Sequence, residues 1–383
     1  MAGIYLHIPF CKQRCSYCDF HFSTQYTTYK QALILAMCNE IQLRKTEVIE
    51  GIDTIYFGGG TPSLLNKEEL GLLLESIHKI GTINTQPEIT LEVNPEDCTK
   101  QKLNDWLELG FNRLSIGLQS FMDADLQWMN RSHDAKQAIK AVKDARKAGF
   151  KTISVDLIYG LPNLKQKDWL DNLKKALALS PDHISAYCLT VEAKTSLSSW
   201  VKTGQVIPLE DELQNQQFND MVLFLAKNGF EQYEISNFAK NDNYAKHNTA
   251  YWQGKIYVGI GPSAHSFDGE KRRWNISNNI AYYKNVGLNE TRYKEEVLSI
   301  QEQWNEFVLT GLRTKWGINK EKSLQFGGIN KKEGVFITKH LENDLLIETD
   351  EAFILSTKGK LYADGIASDL FRVNQLNINF INP

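Results

Sequence analysis

Cys11, Cys15 and Cys18 place three thiols within eight residues, spaced C-x3-C-x2-C. Thiolates that close can wrap one inorganic centre but cannot easily pair with one another as disulfides. A [4Fe–4S] cube takes four ligands, usually all cysteine. The run supplies three, which leaves one iron for a ligand that is not protein. An open metal position beside a small-molecule pocket is reactive, on the logic that separates catalytic from structural zinc sites. Three other readings compete: a zinc knuckle, a redox thiol pair and buried structural cysteines. Zinc ordinarily brings a second C-x2-C or a His pair at short range. His7 and His21 flank the run, so composition alone leaves zinc open.

Other residues could serve a ligand at such a centre. Gly58-Gly-Gly-Thr-Pro62 permits close backbone approach, because glycine has no Cβ, and its free N–H groups could hold a carboxylate. Alone it is a tight turn. Glu92 ends a Leu-Glu-Val-Asn-Pro stretch, where it reads either as an acceptor for hydroxyl or ammonium donors or as a salt-bridged strand terminus. Gln119, Arg131 and Asp156 follow at intervals of 12 and 25 residues, and each by itself reads as an exposed polar residue. Tyr5 and Tyr17, before and inside the cysteine run, read as packing aromatics. Cys38, Cys98 and Cys188 read as small buried hydrophobes.

The elements that must position these residues alternate. Ile4–Ile8 reads as a strand with the cysteine run as its loop. Further strands are expected over Thr54–Phe57, Glu88–Glu92, Arg113–Ile116, Thr152–Leu157 and His183–Cys188. Between them, apolar residues at helical spacing predict helices over Thr28–Arg44, Lys67–Ile80, Lys100–Leu109, His133–Ala148 and Gln166–Leu179. Thr99 is the N-cap of the third, and Gly110 and Gly149 are stops. This alternation argues for βα units on a parallel sheet, whose chemistry gathers at the C-terminal strand ends. The polar, Gly-rich segments fall at those ends. Six units make either an incomplete barrel or an open doubly wound sheet. Asp211–Gly229 is another helix, and Phe230–Phe267 is aromatic and Gly-rich with no clean period. Helices over Glu302–Leu312, Asn330–Asn343 and Thr357–Leu370, with a two-strand wing over Leu346–Leu355, suggest a small winged-helix-like α+β domain. The expected division is a core at 1–210, a barrel-completing segment at 211–300, the C-terminal domain at 301–372 and an uncharged tail at 373–383.

Composition narrows the class. A hydrophobic share of 42% in 383 residues is ample for a large core. A net charge of −3 implies no general attraction to nucleic acid or anionic membrane. In the C-terminal domain Glu348, Asp350, Glu351 and Asp364 offset Lys358 and Lys360, so the electrostatic footprint of DNA binding is missing. Six cysteines in so long a chain make no disulfide framework. Reduced thiols and a cluster point to a reducing, cytoplasmic compartment. Residues 1–10 do not read as a signal peptide, and no run of about 18 apolar residues exists.

The stretch from Tyr5-Leu-His-Ile-Pro-Phe-Cys11 to Cys18-Asp-Phe20 resembles the radical S-adenosylmethionine (radical SAM) superfamily. Within it, the wording is similar to the group containing oxygen-independent coproporphyrinogen III oxidase and its HemW-type relatives. The resemblance covers nearly the whole chain and is most specific over residues 5–20, 56–62, 113–121, 152–162 and 246–267. It implies a partial (β/α)6 barrel and a [4Fe–4S] cluster on Cys11, Cys15 and Cys18. It also implies S-adenosyl-L-methionine (SAM) bound by Tyr5, Tyr17, Gly59, Gly60, Thr61, Glu92, Gln119, Arg131, Asp156 and His265.

The segment His247-Asn-Thr-Ala-Tyr-Trp252 resembles the signature of HemW-type haem chaperones, not of the oxidase. On that resemblance His247 is an axial haem ligand, and Asn248, Tyr251 and Trp252 complete the motif, the two aromatics as flat surfaces for a porphyrin. By itself the segment reads as a hydrogen-bonded histidine in an aromatic loop. His265 is a second candidate for cofactor contact or haem ligation. The chain departs from the oxidase at Phe20, where the oxidase type has a further Cys, and in having ten residues ahead of Cys11 where that type has a long extension. The implied function is a haem chaperone that passes haem to haem-requiring respiratory proteins, with a flavodoxin or ferredoxin as electron donor. It implies no nucleic-acid partner and at most peripheral membrane contact. Oxidative decarboxylation of coproporphyrinogen III is the alternative, and a non-catalytic zinc-binding scaffold is the third reading. Replacing any one of Cys11, Cys15 or Cys18 by Ala is expected to abolish the brown absorbance and the iron and acid-labile sulfide of anaerobically reconstituted protein. The same change at Cys38, Cys98 or Cys188 is expected to leave them.

Overall fold

Six strands lie parallel and in chain order through the computed structural model, which describes residues 2–48 and 51–372. They are β1 (Ala2–Ile8), β2 (Ile52–Gly59), β3 (Ile83–Val93), β4 (Arg113–Gln119), β5 (Thr152–Tyr159) and β6 (His183–Cys188). Helices α1 (Lys30–Leu43), α2 (Lys67–His78), α3 (Lys100–Glu108), α5 (Ala135–Ala148) and α6 (Gln166–Ala178) cross between them, and a short α4 (Asp123–Trp128) forms in the connection after β4. Local chemistry sets these boundaries. The Thr99 side chain accepts from the Lys102 amide at the start of α3. α5 starts two residues later than the apolar spacing predicts, because Asp134 and Gln137 close a reciprocal capping box ahead of it. Gly149 ends α5 at φ 119°, a conformation open to glycine. Helices α7 (Ser196–Lys202) and α8 (Asp211–Lys227) follow β6.

The segment without a readable period builds both edges of the sheet. β7 (Glu231–Glu234) and β8 (Asn237–Ala239) add antiparallel strands beyond β6. The chain then passes through α9 (Lys246–Trp252) to β9 (Tyr257–Ile260), which pairs parallel with β1. β10 (His265–Phe267), β11 (Lys271–Asn275) and β12 (Tyr293–Val297) extend that edge antiparallel, with α10 (Asn279–Gly287) between the last two, to make twelve strands in all. Strands of three to five residues are too short to show a period. Residues of β1, β2, β3 and β6 line one cavity, so the sheet curls into a partial barrel.

A buried carboxylate ties the added edge to the core. Glu40 of α1 is fully buried. It accepts from the Gly261 amide at 2.9 Å, from Asn275 Nδ2 at 2.8 Å and from the Tyr282 hydroxyl, and Arg44 lies 3.7 Å away. One side chain on α1 thus holds the end of β9, the end of β11 and α10.

The C-terminal residues form a second core. α11 (Ile300–Leu312), β13 (Ile318–Asn319), α12 (Lys320–Ser323), α13 (Lys331–Glu342), β14 (Leu346–Glu348), β15 (Ala352–Leu355) and α14 (Ala363–Asp369) enclose Trp304, Val308, Ile337, Phe353 and Ile366. β13, β15 and β14 make a separate antiparallel sheet, with the last two as the expected wing. The helix expected over 357–370 is instead a 3-10 turn at Gly359–Tyr362 followed by α14. A Cβ on Gly359 would lie 1.9 Å from the Leu345 carbonyl oxygen, so the backbone is pressed against β14's approach there. The uncharged tail at 373–383 lies outside the described residues. Glu40→Ala would leave Arg44 buried with one carboxylate fewer and three donors unmatched. It is expected to lower unfolding stability by about 3–5 kcal/mol, measured by urea titration of the folded protein.

Candidate functional site

The cysteine loop leaves β1 and is clamped on both flanks. The Cys11 amide donates to the Ser23 carbonyl and the Ser23 amide to the Pro9 carbonyl. The Ser16 amide reaches the Met129 carbonyl behind α4, and the Leu197 amide of α7 reaches the Ser16 carbonyl. Two side chains donate to the sulfurs: Thr61 Oγ1 lies 3.5 Å from Cys11 Sγ, and Arg131 Nη1 3.6 Å from Cys15 Sγ. All three thiols are free and partly exposed. Burial pushes the Cys11 thiol up to about 12 and the Cys18 thiol up to about 11, so both are protonated at neutral pH. A bound metal would displace those protons. Among the described residues no three His, Cys, Asp or Glu side chains converge on a position for one metal ion. A cube offers a separate iron to each thiolate and needs no such convergence. Three free thiols on one clamped loop, with a hydroxyl and a guanidinium aimed at them, fit such a cluster.

Arg131 joins this loop to the strand ends. Its Nη2 donates to Asn94 Oδ1 at 2.8 Å and to the Gly117 carbonyl at 2.9 Å. A Cβ on Gly117 would lie 2.9 Å from Gln119 Nε2 and 3.3 Å from Arg131 Nη2, so these two side chains crowd the same corner. Gln119 itself sits at φ 66°, a strained position for a residue with a side chain. Tyr17 is held protonated by burial, against the opposing pull of Arg131. The Gly-rich turn differs from the expectation of free N–H groups. The Gly60 amide is taken by the Ile8 carbonyl at 2.9 Å. The Gly59 amide serves Glu92. A Cβ on Gly60 would lie 2.7 Å from the Phe10 carbonyl oxygen, so glycine is required where β1 and β2 end side by side.

Two carboxyl groups face the barrel interior. Burial pushes Glu92 up to about 7; the Tyr56 hydroxyl, donating at 2.7 Å, opposes this, and the charge of Asp156 reinforces it. Burial also pushes Asp156 up to about 6, although Ser185 and Ser115 hydrogen bonds oppose it; the Ser115 hydroxyl stands 3.1 Å from both of its oxygens.

Tyr5, Gly59 and Glu92 line a cavity of about 550 Å³ together with His247, Asn248, Tyr251 and His265. Seven residues that the sequence proposed for two different ligands therefore share one space. His247 is buried; its Nδ1 lies 2.7 Å from Thr54 Oγ1 and its Nε2 2.7 Å from the Tyr251 hydroxyl, and burial pushes it down to about 3. Its ring stacks on Tyr56 with centroids 5.0 Å apart. Trp252 does not line the cavity: the Arg313 guanidinium lies over its ring, 5.4 Å from the centroid, so it belongs to the contact with the C-terminal unit. The sequence reading passed over Tyr56, Tyr187 and Tyr257 on the cavity wall. Tyr56 sits at an inward position of β2, opposite Tyr5 on its neighbour β1, a pairing that the sheet register sets. Of the other cysteines, Cys98 is buried, while Cys38 and Cys188 are partly so.

A family model for the radical SAM superfamily matches residues 5–176. The chain is 33% identical over 375 residues to the heme chaperone HemW of Bacillus subtilis, covering 96% of this chain and 98% of that one. It is 34% identical over 359 residues to the heme chaperone HemW of Lactococcus lactis, covering 93% of each. Among solved structures, coproporphyrinogen III oxidase (HemN) from Escherichia coli matches with a TM-score of 0.84 at 22% identity, over 97% of this chain and 90% of that one. That last likeness establishes a shared fold. The chain belongs to the radical SAM superfamily. Within it, the full-length relatives make it a HemW-like radical SAM protein.

Among the described residues no helix is long and apolar enough to cross a membrane. Glu92 and Asp156 both ionise at higher pH in the folded chain than in the unfolded one. Their contribution therefore favours the native state at low pH and is lost as pH rises through about 6 and 7. The buried His7 and His247, pushed down to about 4 and about 3, act in the opposite sense over the same window, so the carboxyl contribution is read as a difference: the urea midpoint of Glu92→Gln relative to the unliganded wild-type protein is expected to be higher at pH 8 than at pH 5.

Proposed function

We propose that this protein is a radical SAM haem chaperone. Cys11, Cys15 and Cys18 hold a [4Fe–4S] cluster. The residues around Arg131 and Glu92 hold SAM, and the aromatic cavity takes haem as cargo for haem-requiring respiratory proteins. The observation that carries this reading is the match to proteins named heme chaperones along almost the full length of both chains. When bound, the cluster and SAM supply one-electron chemistry, and the protein supplies binding, orientation and electrostatics.

The side chains suit those tasks. Gly59 brings bare backbone to the cavity wall, and Gly60 lets β1 and β2 end side by side beneath it. Thr61 and Arg131 bring donors to the sulfurs. Glu92, pushed up to about 7 by burial, would ionise fully beside an ammonium or sulfonium group, because an opposite charge favours the charged form. Tyr5, Tyr56 and Tyr251 offer ring faces to a porphyrin, and a cavity of about 550 Å³ falls within the roughly 300–1,000 Å³ of small-molecule sites. Free thiols accord with a reducing, cytoplasmic setting and with reduction by a flavodoxin or ferredoxin.

Coproporphyrinogen oxidation is the second reading, supported by the shared fold. Reconstituted protein given reductant, SAM and coproporphyrinogen III under anaerobic conditions is expected to form no protoporphyrinogen, while binding haem at one equivalent per chain. Formation of protoporphyrinogen would replace the chaperone reading with the oxidase. Zinc in place of iron and sulfide would support the scaffold.

A further inference from the structure

Four histidines surround the cavity: His7, His21, His247 and His265. A haem iron takes the imidazole nitrogen that reaches farthest from its own backbone, ordinarily Nε2, in the neutral form. In three of the four that nitrogen is already committed. His7 Nε2 lies 2.8 Å from the His21 carbonyl, His21 Nε2 lies 2.7 Å from Asn279 Oδ1, and His247 Nε2 lies 2.7 Å from the Tyr251 hydroxyl. His247 is the most enclosed, since its Nδ1 is bonded to Thr54 as well and its imidazole is clamped between Tyr56 and Tyr251. Freeing either nitrogen would leave a buried hydroxyl of Thr54 or Tyr251 without its partner, a cost of about 1–3 kcal/mol.

His265 differs in every respect. It is the first residue of β10, it is exposed on the cavity wall, and neither ring nitrogen has a hydrogen-bond partner among the described residues. Its ring is nevertheless not loose. It stands directly opposite Trp274 in the antiparallel pair of β10 and β11, and the two rings stack with centroids 5.9 Å apart at 16°. Cross-strand stacking of this kind holds a side chain in one orientation without using its polar atoms. Its partial desolvation on the cavity wall and the nearby Arg272 charge both disfavour its protonation, which keeps the lone pair available at neutral pH.

We infer that His265 is the residue of this chain that ligates the haem iron, and that His247 is a positioning residue, its ring closing the floor of the cavity. The inference rests on the haem-chaperone reading above and assigns the ligand within it.

The test is titration of haem into anaerobically purified protein, followed by the Soret band, by resonance Raman of the iron–nitrogen bond and by the dissociation constant. His265→Ala is expected to weaken haem binding at least tenfold and to remove the histidine-ligand spectrum, with an unchanged far-ultraviolet dichroism. His265→Met is expected to retain haem with a thioether ligand, shifting the spectrum and raising the haem reduction potential. His247→Ala and His21→Ala are expected to keep the histidine-ligand spectrum. A wild-type spectrum and affinity in His265→Ala, an unshifted spectrum in His265→Met, or loss of the histidine signature in His247→Ala alone would each overturn the assignment. Absence of haem binding by the wild-type protein would overturn the chaperone reading itself, and the ligand assignment with it.

Discussion

The guanidinium of Arg131 is the interaction on which the site depends. It reaches three separately folded pieces of chain: the cysteine loop at Cys15, the end of β3 at Asn94 and the end of β4 at the Gly117 carbonyl. Arg131 is half-buried, and its two Nη atoms carry all of these bonds while its Nε has no partner among the described residues; a guanidinium stripped of such partners is destabilising by several kcal/mol. That requirement fixes how the cysteine loop sits over the strand ends. It also places a permanent positive charge beside the thiols, where it opposes the burial that keeps Cys11 and Cys18 protonated. Gln119, in its left-handed backbone position, brings its amide to the same corner.

Below that corner the interior holds groups away from their usual charge states. Glu92 and Asp156 are pushed up, and His7 is pushed down to about 4, by the same cause, removal from water. At neutral pH this leaves Glu92 about half ionised, Asp156 mostly ionised and His7 neutral. A cationic ligand would find carboxyl groups ready to ionise, and a metal would find neutral imidazole. Hydrogen bonds already made inside the cavity sort its histidines, because a ring nitrogen that serves a neighbour is not free for anything else.

α9 connects this interior to the C-terminal unit. Its first turn is held by Glu88 of β3, whose two oxygens accept the Lys246 and His247 amides. Its last turn is held from the other side, where Lys322 donates to the Gln253 carbonyl and Arg313 covers Trp252 while pairing with Glu234. A run of six residues that looks like one motif therefore serves two purposes. His247, Asn248 and Tyr251 face the cavity; Trp252 faces the second core.

The C-x3-C-x2-C spacing, the six-fold strand–helix alternation and the glycines at 59 and 60 were legible in the chain by itself, because each is a local property: thiol spacing, hydrophobic period, and the absence of a Cβ where two strand ends meet. Thr99 and Gly149 likewise marked their helix ends through bonds within a few residues. The chain alone did not show the six short strands that widen the sheet to twelve, since three to five residues carry no period and the two that join them to the core, β9 on β1 and β8 on β6, pair with partners distant in sequence. Nor did it show that Tyr56 and Tyr187 meet in one cavity, or that both ring nitrogens of His247 are hydrogen-bonded while those of His265 have no partner among the described residues. Those outcomes depend on partners such as Thr54, 193 residues from His247 in sequence, which only the assembled sheet brings within reach. Residue type and spacing decided what chemistry was available; long-range contact decided which atoms were left free to do it.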